Sequence, residues 1–337
     1  MNEGWFRPVM RSVSAMPAMP AMMRILIGLI VAHASAATAQ EELFAQDVQQ
    51  EPELTLTRVN ERVFSAIGVT EAPSYENWGH NNNLSFIIGS RGVMVINGGD
   101  NYLLARALHR EIRKLTDLPV RWVVNENGQG HAFLGNSYWV DLGVALIAHR
   151  DAVHEIEERG ESVLRTMQQR NRERAFRTRV VTPTSTFDST MSIDLGDQSA
   201  QLIWFGPAHS PGDISVWLAD DSVLIAGDIA FHERLLGVFP DTDVMGWIET
   251  FGRMQKLAPD ILVPGHGHPT TLAQVERSTL GYLQYLVTEV RSLLEGDGDL
   301  AEAYEIDQSA YQHLDTFDEL AAKNAGRVFQ QLEMEFF

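Results

Sequence analysis

The sequence predicts an α/β fold, a four-layer αβ/βα sandwich in which two mixed β-sheets face each other and helices flank their outer faces. Two observations predict it. Short apolar runs of β-type composition alternate with helical segments, first over 54–177 and again over 191–294. No repeat or low-complexity linker separates these halves, so 53–337 is predicted to form a single domain. Its last part, from Leu300 onward, is predicted to be a helical extension.

The first half is predicted to begin with strands and to end with a long helix. Predicted strands cover 54–59, 63–67, 84–88, 93–96, 120–124 and 144–148. Glycines at both ends of 89–92 mark a turn, so the strands on either side of it are predicted to form a hairpin. Apolar residues at helical spacing predict a helix over 101–115. The highly charged segment 149–177 is predicted to be a solvated helix.

The second half repeats the alternation of strands and helices. Predicted strands cover 191–195, 201–205, 214–218, 223–226 and 261–263. A helix is predicted over 244–257, and a longer one over 272–294, where aromatic and leucine side chains recur at core spacing. The helical extension that follows is predicted to break near 312–315.

Composition and charge exclude several classes of function. The 337 residues are 45% hydrophobic and 21% charged, which is typical of a globular protein. The formal net charge is −19, from 26 Lys and Arg against 45 Asp and Glu. Nucleic acid and anionic lipid are therefore excluded as expected partners, because both require a basic surface. Cysteine is absent, which excludes disulfides, thiolate metal sites and cysteine nucleophiles.

The N-terminus has the form of a secretory signal peptide. Arg24 precedes a short apolar run at 25–32, and small residues follow up to Ala39. The run is too short to span a bilayer, which needs about 20 residues. We expect cleavage before Gln40, a loose lead-in over 40–52, and a periplasmic or secreted protein without a membrane anchor. The alternative is a disordered tail that carries an apolar patch.

Four glycine-bearing segments follow predicted strands, where loops of α/β proteins build functional sites. They are 124–132, 206–213, 226–228 and 263–269. Among their residues are three histidines and one aspartate that are spread widely along the chain: His131, His209, His266 and Asp228. Neutral imidazoles with one carboxylate form a borderline ligand set suited to Zn²⁺, Fe²⁺ or Mn²⁺. The segments therefore predict a metal site.

These segments resemble the metallo-β-lactamase-fold hydrolase superfamily, and in particular its exported bacterial members. The specific ones are Gly-Pro-Ala-His-Ser-Pro-Gly-Asp at 206–213, Leu-Ile-Ala-Gly-Asp at 224–228 and Val-Pro-Gly-His-Gly at 263–267. The resemblance covers roughly 63–271. It implies an αβ/βα sandwich with its active site at one edge between the sheets, which agrees with the fold predicted above.

The first segment departs from the family motif His-x-His-x-Asp-His. The flanking Val-Val-Asn and Gly-Asn runs fix the register without a gap. The two leading histidines fall on Asn127 and Gln129, the aspartate falls on His131, and the last histidine falls on Ala132. Elsewhere the resemblance implies that His209 serves the first metal position, that Asp228 bridges the two positions and that His266 serves the second.

The resemblance therefore implies a reduced metal centre with a single zinc ion, or iron or manganese in its place. The first position keeps His209 and two amide oxygens, which are weak ligands. The second keeps His131, Asp228 and His266, which form a catalytic zinc set. His209 is a fourth ligand or a hydrogen-bond donor. The family aspartate that orients the attacking water is lost, and Gln129, Glu126 and Asp213 are candidates to replace it.

The sequence thus predicts an exported metal-dependent hydrolase with His131, Asp228, His209 and Gln129 as catalytic residues. Hydroxide on the metal would attack the carbonyl carbon of a small-molecule ester, lactone, amide or thioester. One alternative is a non-catalytic ligand-binding pseudoenzyme on the same scaffold. Another is an accessory role beside a periplasmic quinoprotein or a sulfur-oxidising system. The sequence indicates no particular protein partner.

Overall fold

The computed structural model describes residues 50–336 together with Met1. The predicted signal peptide, 1–39, and most of the lead-in predicted over 40–52 lie outside the described residues. Within the described part, no helix is both long enough and apolar enough to cross a membrane.

The first sheet has seven strands in the order β1-β2-β3-β4-β5-β6-β7. Their bounds are β1 Leu56–Arg58, β2 Val63–Ala66, β3 Leu84–Gly89, β4 Gly92–Ile96, β5 Val120–Asn125, β6 Ala145–His149 and β7 Ser185–Phe187. Strands β1 to β4 pair antiparallel, and β4 to β7 pair parallel. The carboxyl ends of the parallel strands therefore lie at one edge, where the chain turns into loops.

The helices of the first half connect these parallel strands. They are α1 Tyr102–Leu115, α2 Gly130–Phe133, α3 Asn136–Asp141 and α4 Arg150–Asn171. Asn101 caps the N-terminus of helix α1, because its side chain accepts a hydrogen bond from the Leu104 backbone N–H. Helices α2 and α4 pack together through Phe133, Leu164 and Met167.

The second sheet has five strands in the order β12-β11-β10-β9-β8. Their bounds are β8 Thr190–Asp194, β9 Ser199–Ile203, β10 Ser215–Leu218, β11 Val223–Phe231 and β12 Ile261–His266. Only β11 and β12 pair parallel, and the other neighbours are antiparallel. The remaining helices are α5 Val244–Met254, α6 Leu272–Val275, α7 Gly281–Glu295, α8 Leu300–Ala303 and α9 Phe317–Phe336.

The core lies between the two sheets. One buried cluster joins Ile87 and Val124 of the first sheet to Val216 and Ile225 of the second. A second cluster packs the other face of the five-stranded sheet, through residues such as Leu224, against α5, α7 and α9. Both sheets are mixed and both are flanked by helices, so the predicted four-layer αβ/βα sandwich is confirmed.

Several predicted bounds need correction. The helix predicted over 149–177 ends at Asn171, and a 3₁₀ turn, Arg172–Ala175, follows it. Strand β7 was not predicted, because three residues carry too little periodicity. Strands β11 and β12 run on to Phe231 and His266, so Asp228 and His266 lie inside strands rather than in loops after them. Gly227, with φ of +62°, looks like a turn residue in the sequence but lies within β11.

His109 on α1 makes the stability of the fold depend on pH. It is fully buried, and burial, with Arg113 adding to it, lowers the pKa of His109 to about 3. An unfolded histidine titrates near 6.5, so the unfolded chain binds a proton that the folded chain excludes. Stability should fall as the pH drops below about 6.5, by up to about 1.4 kcal/mol per pH unit from this residue.

We therefore expect the His109→Gln variant to lose part of this acid sensitivity. Urea unfolding at pH 8 measures the packing cost of the substitution, including the lost contact of Nδ1 with the Tyr138 hydroxyl at 2.8 Å. Between pH 6.5 and 4.5 the free energy of unfolding should fall less steeply in the variant than in the wild type. If the free energy of unfolding falls equally steeply with pH in both proteins, His109 is not a source of the acid sensitivity.

Candidate metal centre

The candidate site lies at the edge of the sandwich where strands of both sheets end. Strand β5 ends at Asn125, and the chain continues through the substituted motif into α2. Strand β11 supplies Asp228, and β12 supplies His266 at its last residue. His209 comes from the loop between β9 and β10. Two sheets thus deliver the predicted residues to one edge.

Hydrogen bonds fix the backbone of the motif segment. The backbone N–H of Glu126 donates to Asn97 Oδ1 at 3.1 Å, and its carbonyl accepts from the Ile214 N–H at 2.9 Å. The Asn125 side chain donates to the Ala132 carbonyl and to Asn136 Oδ1. The segment is therefore anchored to both sheets, and its side chains are held in place.

Asp228 lies at the centre of the site and is fully buried. Three histidines approach its two oxygens. His131 Nε2 is 3.4 Å from Oδ2, and His209 Nδ1 is 3.7 Å from the same oxygen. His266 Nε2 is 3.4 Å from Oδ1. His131 and His266 therefore approach different oxygens of one carboxylate.

Glu126 adds a second carboxylate. Its Oε1 is 3.5 Å from His131 Nε2, and only 2% of the residue is exposed. Glu126, His131 and Asp228 each offer one ligand atom, and these three atoms lie within 4.8 Å of one another. The sequence indicates Glu126 only as a candidate to orient water, through its place directly after a buried strand.

Unpartnered atoms converge on this cluster. Within the described residues, Glu126 Oε1, His131 Nε2 and Asp228 Oδ1 are buried without a hydrogen-bond partner. Buried polar atoms are normally hydrogen-bonded, so each orphan calls for an explanation. Carboxylate oxygens and imidazole nitrogens are the donor atoms that divalent transition metals take. The residues present therefore fit a divalent cation.

The tautomer of His266 supports the same conclusion. Its Nδ1 is hydrogen-bonded to the Asn81 carbonyl, which only accepts, so Nδ1 carries the proton. Burial, Arg234 and His131 hold the pKa of His266 well below its usual value, so the ring is neutral and Nε2 is unprotonated. Nε2 and Asp228 Oδ1 are then two acceptors 3.4 Å apart that no hydrogen bond joins, so His266 leaves this oxygen of Asp228 unsatisfied.

The amides of the motif are hydrogen-bonded within the protein. Asn127 Nδ2 donates to Asp213 Oδ1 at 3.0 Å and to Asp228 Oδ2 at 3.2 Å. Gln129 Nε2 lies 2.8 Å from His209 Nδ1. Side chains at the predicted first metal position therefore bind each other and the carboxylates.

Burial dominates the electrostatics of the site. It raises the pKa of Asp228 to about 7, against the lowering effect of His131, and Glu126 raises it further. Burial also raises the pKa of Asp213 well above its usual value, and Asp228 adds to this. Burial lowers the pKa of His209 to about 3, with a further contribution from His131. Burial lowers the pKa of His131 too, but Asp228 and Glu126 outweigh it and the net shift is upward.

A cavity of about 430 Å³ opens onto the site. His131, His209, His266 and Gln129 lie in its wall. The rest of the wall mixes apolar side chains with polar and charged ones, among them Leu134, Val163, Met167, Phe231, Phe239 and Leu320 on the apolar side and Asn81, Asp100, Ser162, Thr166, Arg170, Arg234 and Glu319 on the polar side. The cavity has room for a small molecule beside the metal ligands.

Comparison with known proteins supports the resemblance to the predicted superfamily. The sequence model of the metallo-β-lactamase superfamily matches residues 133–266. Over these residues the chain resembles the superfamily. The match begins directly after Ala132, the last residue of the substituted motif, and it includes His209, Asp228 and His266. The superfamily predicted from the sequence is thus confirmed.

Curated relatives are distant. A metallo-β-lactamase type 2 of Bacteroides fragilis is 22% identical over 66% of this chain and 82% of its own length. The acyl-coenzyme A thioesterase MBLAC2 of Homo sapiens is 31% identical, but the alignment covers 31% of this chain and 38% of that protein. The second similarity is thus confined to little more than a third of the relative.

Solved structures share the fold. A metallo-β-lactamase from Pontibacter korlensis superposes with a TM-score of 0.56 at 18% identity, over 69% of this chain and 99% of that one. The DIM-1 metallo-β-lactamase gives the same TM-score at 15% identity, over 70% of this chain and 99% of that one. At these identities the likeness supports the architecture of the superfamily and leaves substrate open.

The structure brings all the predicted site residues to one edge of the sandwich. His131, His266 and His209 contact Asp228, and Gln129 contacts His209. Of the predicted ligands, His131 approaches one oxygen of Asp228 and His266 approaches the other. The three residues whose ligand atoms lie within 4.8 Å of one another are Glu126, His131 and Asp228, so Glu126 takes the place of His266 in this group. The metal-binding and catalytic roles of these residues stay predictions.

Proposed function

We propose that this protein is a hydrolase that depends on one divalent metal ion, with zinc first and iron or manganese as alternatives. It would act on an ester, lactone, amide or thioester. The observation that carries the proposal is the group of Glu126, His131 and Asp228, each of which has a buried atom without a hydrogen-bond partner, with His131 in the wall of a cavity. A bound cation at such a site lowers the pKa of water and polarises a carbonyl group.

Different residues of the site would bind the cation and the substrate. Asp228 and His131 would hold the cation. His209 is kept neutral by burial, and Gln129 fixes its orientation through the contact with Nδ1. With Nδ1 accepting from the amide, the proton of His209 lies on Nε2. That N–H would donate to the carbonyl oxygen of a substrate and stabilise the negative charge that develops there.

The cavity supports a substrate with an apolar acyl portion. Phe231, Phe239 and Leu134 contribute to its apolar wall. The MBLAC2 relative is an acyl-coenzyme A thioesterase, so thioesters belong in the first set of substrates to test. β-Lactams belong there too, because the Bacteroides fragilis relative is a metallo-β-lactamase.

A second candidate function is ligand binding without catalysis. The observation that favours it is the hydrogen bonding of Asn127 and Gln129 to neighbouring protein groups, which satisfies the first metal position without an ion. The family aspartate that orients water is also replaced by His131. Such a protein would keep the cavity and bind a small molecule, but would turn over none of the carbonyl compounds above.

We also propose that the chain is exported and acts on a small molecule outside the cytoplasm. The support is the signal-like segment that ends at Ala39 and the net charge of −19, which disfavours nucleic acid. The mass of protein recovered from the periplasm or medium tests this. A chain that begins at Gln40 is expected, and an uncleaved cytoplasmic chain would contradict it.

Metal analysis together with a substrate screen tests the proposed function. The purified mature protein should hold about one equivalent of metal. Ester, lactone, thioester and β-lactam hydrolysis should disappear with a chelator and return with Zn²⁺. Two equivalents would contradict the single-ion site. One equivalent with no turnover of any substrate would favour ligand binding without catalysis.

A further inference from the structure

We propose that Glu126, which lies outside the family motif, is a metal ligand, and that the cation is held by Glu126, His131 and Asp228. The inference rests on the metal dependence proposed above and names the ligand set. In the family motif the carboxylate falls at position 131, and here that position is an imidazole. Glu126 returns a carboxylate to the site from five positions earlier in the chain.

Distance and burial support this set. Glu126 Oε1 and Asp228 Oδ2 lie 3.5 and 3.4 Å from the same nitrogen, His131 Nε2. Neither carboxylate has a lysine or arginine within ion-pair distance among the described residues, where only histidines pair with them. Buried charges are normally paired or coordinate metals. Two carboxylates would balance the charge of one divalent cation.

Glycines make room for both carboxylates. A Cβ on Gly227 would lie 2.2 Å from Glu126 Oε2, and one on Gly265 would lie 2.2 Å from Asp228 Oδ1. Any other residue at either position would push the carboxylate away. The neighbouring strands β11 and β12 thus each carry a glycine beside one of the two carboxylates. A glycine inside a strand often marks a site where another group approaches closely, as both carboxylates do here.

The rival set replaces Glu126 by His266. His266 Nε2 reaches the other oxygen of Asp228, at 3.4 Å, and its ring centre is 5.9 Å from that of His131. The three atoms that lie within 4.8 Å of one another include Glu126 and leave His266 out. The geometry therefore favours Glu126 as the third ligand, and His266 as a residue that contacts the other oxygen of Asp228.

A competition titration tests the ligand set. Metal-free mature protein is titrated with Zn²⁺ against a chromophoric chelator, for the wild type, E126Q, H266Q and E111Q. Glu111 is a control because it is a buried glutamate on α1 that pairs with Arg110 and Lys114. We expect E126Q to weaken zinc binding by about 100-fold or more, since even outer partners of ligands are worth about 10- to 100-fold. E111Q should match the wild type.

Wild-type zinc affinity in a folded E126Q, with affinity lost in H266Q, would overturn the proposal. Should E126Q fail to fold, the zinc-edge X-ray absorption spectrum of the wild type decides without a variant. One imidazole bound directly to the zinc is predicted, and two or more would overturn the ligand set. If zinc binds through Glu126 but the protein hydrolyses no substrate, the proposed function is wrong and this inference stands. If the protein hydrolyses a substrate but E126Q binds zinc as tightly as the wild type, this inference is wrong and the proposed function stands.

Discussion

Replacing Asp228 by Asn should abolish tight metal binding and stabilise the metal-free protein at the same time. Asp228 contacts all three histidines of the site, so its loss removes the carboxylate that every plausible ligand set shares. We expect zinc affinity to fall by more than about 100-fold. Any metal-dependent hydrolysis should fall with it.

The expected stabilisation of the metal-free D228N protein has a different cause from its loss of metal binding. Asp228 is fully buried, has Glu126 as a neighbour, and has no lysine or arginine within ion-pair distance in the described part of the chain. In the absence of a cation its charge is a cost to folding. A neutral amide removes that cost and keeps an oxygen for the hydrogen bond from Asn127. The free energy of unfolding in chelator should rise by about 1 kcal/mol or more.

Denaturant unfolding with chelator and with excess Zn²⁺ measures both effects. Zinc should raise the free energy of unfolding of the wild type. In chelator D228N should have a higher free energy of unfolding than the wild type, and zinc should not raise it further. Asp220, an exposed aspartate next to strand β10, provides the control, and D220N should behave like the wild type. A D228N protein that zinc still stabilises would show that the cation binds elsewhere.

The Gly227→Ala variant should lose metal binding through steric displacement of Glu126. The added methyl group would lie 2.2 Å from Glu126 Oε2 and 3.0 Å from the Ile214 carbonyl oxygen. Gly227 also has φ of +62°, where a non-glycine residue costs about 1–2 kcal/mol. We expect a total destabilisation of about 2–4 kcal/mol from strain and overpacking together. Zinc affinity should fall by at least about 10-fold.

Gly143 separates the two effects. It has φ of +74°, and nothing lies within 4 Å of a Cβ added there. Gly143→Ala therefore carries the backbone strain without the clash, and should cost about 1–2 kcal/mol while zinc affinity is unchanged. Thermal unfolding and the chelator competition compare the two variants. Equal zinc affinity in both would mean that the space beside Gly227 is not needed for the metal site.

The architecture could be predicted from the sequence because it depends on periodic burial. Strands such as β3 and β4 show as apolar runs around a glycine turn, and α1 shows as apolar residues at helical spacing. Strand β7 could not be predicted, because it is a three-residue parallel edge strand. The sequence also does not show that β11 continues through Gly227, since a glycine followed by an aspartate is typical of a turn.

The site could be predicted only in part, because a family motif gives positions and not distances. The spacing of His209, Asp228 and His266 follows the superfamily, and these residues do meet in the structure. The substituted motif gives no such guide. Glu126 joins the cluster because β5 ends just before it and because Gly227 leaves it space, and both are properties of the tertiary structure.

The most direct test of a single cation at Asp228 is an anomalous difference map, measured at the zinc edge on crystals of the mature protein grown with Zn²⁺. One strong peak is expected at this site, enclosed by Glu126, His131 and Asp228. Two peaks, one of them between His209 and Gln129, or saturating zinc with no peak beside Asp228, would contradict it.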